Sequence, residues 1–358
     1  MLYLINLSVF YIDPQVFFEK LLSNPAVSQS IDFHPTKKNY YSSILDGSRY
    51  KTQHSLIHLA LYVDDFDPLI KSVHKGRSNY KVTAIYLKML NISPHLSSKR
   101  DLVFPFSIFC ANGPTQGSKT AFVKISDILK KFIACGVTVD GFSFQFSLSV
   151  CCSDNLAAHE LLGLSTTSSS HPCRFCSSTT HSNQEIFHPV KQLERNAATI
   201  KTNFDCFKEL KKTGFKGLHV DGVKDSPLLE INNLRNPSNF PSCISHDVFE
   251  KVIPDVLFSS LLRLDHEKLV NLRHCVDQLN AFDLNAYDSQ NKFYASFNGF
   301  QGSSSQMRCL MRIFIYALKD ILPLSHPLCK GIKLNALVKL LIFHKRYKID
   351  IKDFPDGQ

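Results

Sequence analysis

The sequence predicts an α/β fold built on a mixed sheet, and three observations predict it. Three β-prone runs follow one another between residues 55 and 110, a segment with helical period comes next, and a run with a period of two follows that helix. Acidic residues stand immediately after the first and the fourth of these strands.

The first run, Ser55 to Val63, is nearly continuous in apolar, β-prone residues and stops at Asp64-Asp65-Phe66-Asp67-Pro68, so it reads as a buried strand closed by an acidic turn. Lys81 to Leu87 is the second strand and Leu102 to Cys110 the third. Pro105 cannot donate to a ladder, which predicts a bulge or an edge in the third. Phe122, Ile125, Ile128, Leu129, Phe132 and Ile133 then recur on one helical face, with Lys130-Lys131 in the last turn and Gly136 as the stop. Phe142, Phe144, Phe146, Leu148 and Val150 alternate with Ser143, Gln145, Ser147 and Ser149, the pattern of a strand with one wet or lightly covered face. After Cys151-Cys152-Ser153-Asp154 the stretch Asn155 to Leu164 has helical character, and Asp154 is placed to cap it.

Beyond Leu164 the texture changes. Ser165 to Ser170 is a low-complexity Ser/Thr run, followed by His171-Pro172-Cys173-Arg174-Phe175-Cys176 and a polar stretch with His181 and His188. Lys208 to Lys224 is rich in Lys and Gly, and Asn232 to Pro241 is turn-prone. Ser245 is placed to cap a helix with the apolar stripe Val248, Phe249, Val252, Ile253, Val256 and Leu257, which Pro254 should kink or restart. Ser305 to Leu322 and Leu334 to Phe343 read as amphipathic helices. The expected organisation is an N-terminal segment 1–54, the first part of the core 55–165, an irregular insertion and connector 166–242, and a helical region 243–358 that completes the core.

Composition bounds the rest. With 44% hydrophobic and 20% charged residues the chain can bury a core, and 14 Gly with 16 Pro exclude a collagen-like chain. A net charge of +10 favours a polyanionic partner, nucleic acid or an acidic membrane surface. Most of the eleven cysteines are scattered singly through apolar stretches, which fits free thiols in a reducing compartment. The opening apolar segment has no basic region and is cut by Asp13-Pro14, so no secretion signal is read. No run reaches the roughly 18 apolar residues of a membrane span, and the chain is expected to be soluble and intracellular, without a membrane partner.

Three strands, a helix and a fourth strand, with aspartates closing strands one and four, is the layout of an RNase H-like fold, in which those two strands lie side by side. Asp64 and Asp154 would then meet although far apart in the chain, and a third acidic residue on a later helix would complete a site for Mg²⁺ (or Mn²⁺). Two such ions can hold the attacking and leaving oxygens of a phosphoryl displacement. The plainer alternatives are a turn cluster for Asp64, Asp65 and Asp67 and a helix cap for Asp154. Cys173 and Cys176 supply half of a tetrahedral Zn²⁺ site, with His171, His181, His188 and Cys206 as candidate partners, against two unpaired thiols in a loop. Basic residues gather at Lys208, Lys211, Lys212 and Lys216 and at His344 to Lys348, as a solvated face or a phosphate-contacting one.

These residues also carry a family resemblance. Leu61 to Pro68, Lys81 to Tyr86 and Asn91 to Lys99 resemble the core of animal CACTA-type (En/Spm-like) DDE transposases and the genes derived from them. Ser153-Asp154-Asn155-Leu156 with His159 and Leu162-Gly163 is similar to the family's second-aspartate segment, and Pro172 to Cys176 to its CPxC element. Gly217 to Leu234, with Asp225 to Leu229, resembles the connector, His246 to Pro254 a helix that carries the third acid, and Phe297 to Arg308 the C-terminal helical part. The resemblance implies Asp64, rather than Asp65, as first catalytic carboxylate, Asp154 as second and Glu250 as third, with Asp247 its competitor. It also favours a structural zinc at Cys173 and Cys176. Departures cluster beside the third acid: Cys243 stands for an aspartate, Ser245 for a methionine and Lys251 for a glycine. The implied activity is DNA strand cleavage and strand transfer at element ends and target, in the nucleus, with a homo-oligomer left open. The alternatives are a transposase-derived protein that binds DNA or protein without cutting, and a protein unrelated to nucleic acid whose aspartates are only turns.

Overall fold

A computed structural model describes residues 2–5, 9–34, 44–46, 50, 55–66, 81–97, 99, 102–110, 117–179, 194–217, 219–224, 231, 234–282, 294–318 and 320–321. By packing, the chain forms two compact units, Met1–Pro241 and Ser242–Gln358.

The first unit is built on a seven-stranded mixed sheet. Its strands are β1 (Leu2–Ile5), β2 (Val9–Ile12), β3 (Leu56–Phe66), β4 (Val82–Met89), β5 (Val103–Cys110), β6 (Val137–Val139) and β7 (Phe142–Cys152), in the spatial order β1-β2-β5-β4-β3-β7-β6. β3, β4 and β5 form an antiparallel meander, and β7 returns parallel to β3, beside it as the sequence reading expects of strands one and four. The connecting helix is α4 (Gly117–Cys135), preceded by α1 (Pro14–Leu22) and the single turns α2 (Pro25–Ser28) and α3 (Pro94–Ser97). Gly136 ends α4 at φ +64, where a Cβ would lie 2.5 Å from the Phe144 carbonyl, so the tight return into β6 requires glycine.

The sheet is wider than the predicted strands. β1 and β2 add an antiparallel pair whose second strand pairs with β5, and Asp13-Pro14, the point that cuts the apolar opening, starts α1: Asp13 caps it by accepting from the Gln15 N–H (2.9 Å) and Pro14 occupies the first turn. α1 then buries Phe18 against Phe104, Phe132 and Phe146, with Phe17 stacked on Phe104, so α1 and α4 share one face of the sheet.

Two expectations about the strands are corrected. β3 does not stop at Asp64: Asp64, Asp65 and Phe66 pair with Ala84, Thr83 and Val82, because β4 continues alongside after β7 has ended. Nor does β7 have a wet face along its length. Phe142 at its start is 71% exposed, but Ser147 and Ser149 are buried at 3% and 2% beside the fully buried His58. A central parallel pair is covered on both sides, and here the second cover is polar.

That polar layer is cross-linked by hydrogen bonds from His58, Asn91, Ser149 and Asn239. Ser149 Oγ meets His58 Nδ1 at 2.7 Å. Asn91, 1% exposed, accepts from the His58 backbone N–H (2.9 Å) and donates to the carbonyls of Asp32 (2.9 Å) and Leu56 (3.1 Å), tying the end of β4 to the start of β3. The β3–β7 register also breaks here. Leu59 pairs with Leu148 but Ala60 pairs with Val150, so Ser149 is a bulge residue. Its carbonyl accepts from the Tyr50 hydroxyl (3.2 Å) and from Asn239 Nδ2 (2.9 Å). The second bulge is the one Pro105 predicts: Ile85 pairs with Ser107 and Tyr86 with Pro105.

The sequence predicts irregular chain through 166–242, yet residues 197–212 form a 16-residue helix, α6 (Ala197–Lys212), after α5 (Asn155–Leu161). Asn196 and Thr199 form a reciprocal cap, and Ile200, Phe204 and Phe207 supply the buried face.

The second unit opens with a nine-residue π-helix, Ile244–Val252, that runs into α7 (Ile253–His266). It continues with α8 (Leu272–Ala281), the hairpin β8 (Tyr294–Ser296) and β9 (Gly299–Gln301), and α9 (Ser304–Ala317). Its core is Phe249, Ile253, Leu257, Leu261 and Leu264 against Val276, Leu279, Met307, Leu310 and Phe314. Ser245 is not a cap: Cys243 occupies that position and makes no side-chain cap bond. Pro254 does mark a change of helix, as expected. A proline ring strikes the carbonyl four residues back in an α-helix, and the wider π-turns ahead of it relieve that clash. The expected stripe is split, with Phe249, Ile253 and Leu257 inside and Val252 and Val256 exposed. The predicted helix at 334–343 lies outside the described residues.

Replacing Asn91 with Leu keeps the branched shape but leaves the His58 N–H and two carbonyls unsatisfied. Urea unfolding should show a loss of about 3 kcal/mol, against about 1 kcal/mol for Asn24→Ala, which removes only a surface cap on Ala26.

Candidate functional site

The last paired residues of β3 and β7 are Tyr62 and Cys152, and Asp64 and Asp154 each lie two residues further on. The two aspartates therefore leave neighbouring parallel strands at the same end of the sheet. Tyr62 hydrogen-bonds Cys152 across the pair, and its phenol is pushed up to about 12, by burial first and then by the Cys152 thiol. It stays protonated at neutral pH and adds no charge at this end of the sheet.

The neighbouring carboxylates differ in what they do. Asp65 is taken: it binds Lys81 Nζ at 2.6 Å and accepts from Thr83 Oγ1 at 2.6 Å. Asp64 is exposed, and its carboxylate makes no hydrogen bond or ion pair among the described residues. Asp154 caps α5, its Oδ1 accepting from the Ala157 N–H at 2.7 Å, so the helix-cap alternative is realised and Oδ2 makes no described hydrogen bond. Lys81 is held above its ordinary lysine range, by its bond to Asp65 first, against burial, and then by the charges of Asp65, Asp154 and Glu160. Lys81 thus feels the charge of three carboxylates at this edge. Asp67 lies outside the described residues.

His159, within α5, is 2% exposed and donates from Nδ1 to the Ser165 carbonyl (2.6 Å). Burial lowers its pKa from the ordinary 6.5, and the nearby charges of Arg174, Arg195 and Lys224 lower it further, outweighing that hydrogen bond. It acts as a neutral strut for the chain leaving α5.

Cys173 and Cys176 lie within hydrogen-bond reach of each other. Burial raises Cys173. At Cys176 burial also acts upward, but hydrogen bonds from Ser178 and Cys173 and the charge of Arg195 outweigh it, so Cys176 ionises first. Two arginines, each 5% exposed, pin this loop through backbone carbonyls. Arg174 donates to Phe240 O (3.1 Å), Pro241 O (3.2 Å) and Asn155 Oδ1 (2.6 Å), and Arg195 to Cys176 O (2.9 Å) and Asp221 O (2.7 Å). His171 packs edge-on against His219, a histidine that sequence spacing does not single out. Among the described residues no group of three or more His, Cys, Asp or Glu is arranged to hold a metal ion. His181 and His188 lie outside the described residues.

In the second unit, Glu250 is half-buried and its Oε1 accepts from the Ser304 N–H at 2.9 Å, capping α9. His246 is exposed, with Nδ1 3.0 Å from Cys243 Sγ. Glu250, Ile244, Ser245 and Phe249 form one wall of a cleft of about 630 Å³, opposite Ser303, Ser304, Ser305, Arg308, Cys309 and Arg312.

The basic residues of α6 are partly accounted for by neighbours. Lys208 sits over Phe204 (4.3 Å) and Lys211 over Phe207 (5.3 Å), while Lys212 pairs with Glu209 and Lys201 with Asp205. His344 to Lys348 lie outside the described residues. Among the described residues no helix is long and apolar enough to cross a membrane. The chain matches no protein-family model and no curated protein.

The lowered His159 makes a pH test available. The unfolded chain takes up a proton near 6.5 and the folded chain resists it, so the contribution of His159 is full above that pH and is lost as pH falls through and below it. His171, lowered by burial and then by Arg195 and His219, acts in the same sense. Urea midpoints should fall between pH 7.5 and roughly pH 5.5, and His159→Gln should show a shallower fall than wild type.

Proposed function

We propose that this chain is a DDE-type transposase-like protein of the CACTA (En/Spm-like) kind, with an RNase H-like core, whose reaction is metal-assisted cleavage of a DNA strand and transfer of the freed 3′-OH. The observation that carries the reading is the shared end of β3 and β7, where Asp64 and Asp154 each lie two residues beyond the last paired residues, Tyr62 and Cys152. The strand order supports it: an antiparallel meander, a helix, and a fourth strand parallel to the first is how RNase H-like cores begin. The charge pairing supports it as well. Lys81 occupies Asp65 and leaves Asp64 exposed, the choice between adjacent aspartates that the family resemblance makes.

Asp64 and Asp154 are the residues that would hold Mg²⁺ (or Mn²⁺), and their hard carboxylate oxygens suit such an ion. Bound there, the ions would stabilise charge on the scissile phosphate and lower the pKa of attacking water. The protein's own groups prepare that end of the sheet. The Ala157 N–H fixes Asp154 so that Oδ2 is the oxygen left to bind, Lys81 keeps Asp65 out of the ligand set, and neutral Tyr62 adds no competing anion. Glu250 is the third carboxylate of this reading, and DNA in the nucleus its substrate. For Zn²⁺, Cys173 and Cys176 are two donors of the four a structural ion requires, and the buried arginines already tie their loop.

One observation favours a second reading, a transposase-derived protein that binds DNA or protein without cutting: Glu250 spends one oxygen on the cap of α9. Supercoiled plasmid separates the two. With Mg²⁺ or Mn²⁺ the wild-type chain should nick it, and Asp64→Asn and Asp154→Asn should each lose at least about 100-fold in rate while melting like wild type. Equal behaviour of wild type and both variants would remove the cutting reading and leave the binding one.

A further inference from the structure

We propose that the cleft between the π-helix and the start of α9 seats a phosphodiester of the nucleic-acid strand, with Arg308 and Arg312 as its cationic wall. This deepens the DNA reading above and rests on it. The two arginines are four residues apart on α9, so their side chains leave one face a turn apart, and both are exposed at the cleft. Guanidinium forks suit the paired oxygens of a phosphate, and the hydroxyls of Ser303, Ser304 and Ser305 add donors that carry no charge.

The start of α9 is not itself the anion site. The Ser303 N–H is already bound to Gln306 Oε1 (2.7 Å) and the Ser304 N–H to Glu250 Oε1 (2.9 Å). Recognition must come from the side chains. Among the lining residues two cations face one carboxylate, a balance that suits a singly charged phosphodiester better than a dianion. A cleft of about 630 Å³ is also far larger than one phosphate, and exposed Ile244 with Phe249 gives the adjoining sugar an apolar wall. The proposed third carboxylate would then stand beside the strand it acts on.

Anisotropy of a labelled oligonucleotide, titrated with the full chain over a range of KCl concentrations, tests this. Arg308→Gln combined with Arg312→Gln should weaken binding about 10-fold at moderate salt and make the salt slope shallower by about 1 to 2. Glu250→Gln should tighten binding. As a measurement on the unaltered chain, bound oligonucleotide should protect both arginines from phenylglyoxal. If wild type binds DNA but the double variant keeps its affinity and slope, or if the arginines are modified equally with and without DNA, the seat is wrong and the DNA reading stands. Wild type that binds no DNA at any salt removes both.

Discussion

One extra residue in β7 sets the level of everything at the edge of the first sheet. Before Ser149 the parallel register pairs Leu56 with Gln145; after it, Ala60 pairs with Val150 and Tyr62 with Cys152. Without that bulge Ser153 would come level with Asp64, and the alternation of side chains would turn Asp154 to the other face. A bulge leaves its backbone out of the ladder, and an unsatisfied buried carbonyl is costly. Tyr50 and Asn239, from distant parts of the chain, meet that need, and Ser149 Oγ turns to His58. The polar layer behind β3 and β7 is thus the support of the register, and the register is the support of the candidate site.

Much of this architecture is legible in the sequence because it follows from apolar period. The strands β3, β4, β5 and β7, helix α4 and the stop at Gly136 all rest on hydrophobic spacing or on punctuation by Gly and Pro. What the sequence conceals is where polar residues go. Ser147 and Ser149 have the spacing of a wet face, yet both are buried, with His58 and Asn239 bonded to Ser149. α6 hides for a related reason: its buried face is Ile200, Phe204 and Phe207, while Lys201 and the lysines after Phe207 give the segment the texture of a loop. The candidate site divides in the same way. Asp64 and Asp154 can be found from strand ends, but the distinction between Asp64 and Asp65 depends on Lys81 and Thr83, which the antiparallel register of β4 brings alongside.

The loop with Cys173 and Cys176 shows how little spacing alone decides. Two thiols at that separation are ordinary material for a metal knuckle, yet the visible work is done by Arg174 and Arg195, whose charged heads are buried against carbonyls. Guanidinium, with its fixed planar fork of five donors, can close several separated backbone acceptors at once, where the three donors of a lysine ammonium radiate from one atom. Methionine in place of either arginine would keep the unbranched stem and leave those acceptors bare. The same two cations depress His159, so the loop, the helix after Asp154 and the connector at Phe240 and Pro241 form one electrostatic unit.

The π-helix at Ile244–Val252 has a consequence for how this chain tolerates changes of length. A π-turn holds one more residue than an α-turn, and nine such residues sit immediately ahead of a proline that an α-helix would resist. Loss of one residue there could be absorbed by tightening toward α-geometry without unfolding the segment. The helix would survive, but His246, Glu250 and Phe249 would be re-aimed relative to α7, by roughly the 100° that one residue subtends. The segment therefore works as a counter whose setting is the number of residues, and an alignment that slid by one across it would preserve the helix while assigning its carboxylate to the wrong direction.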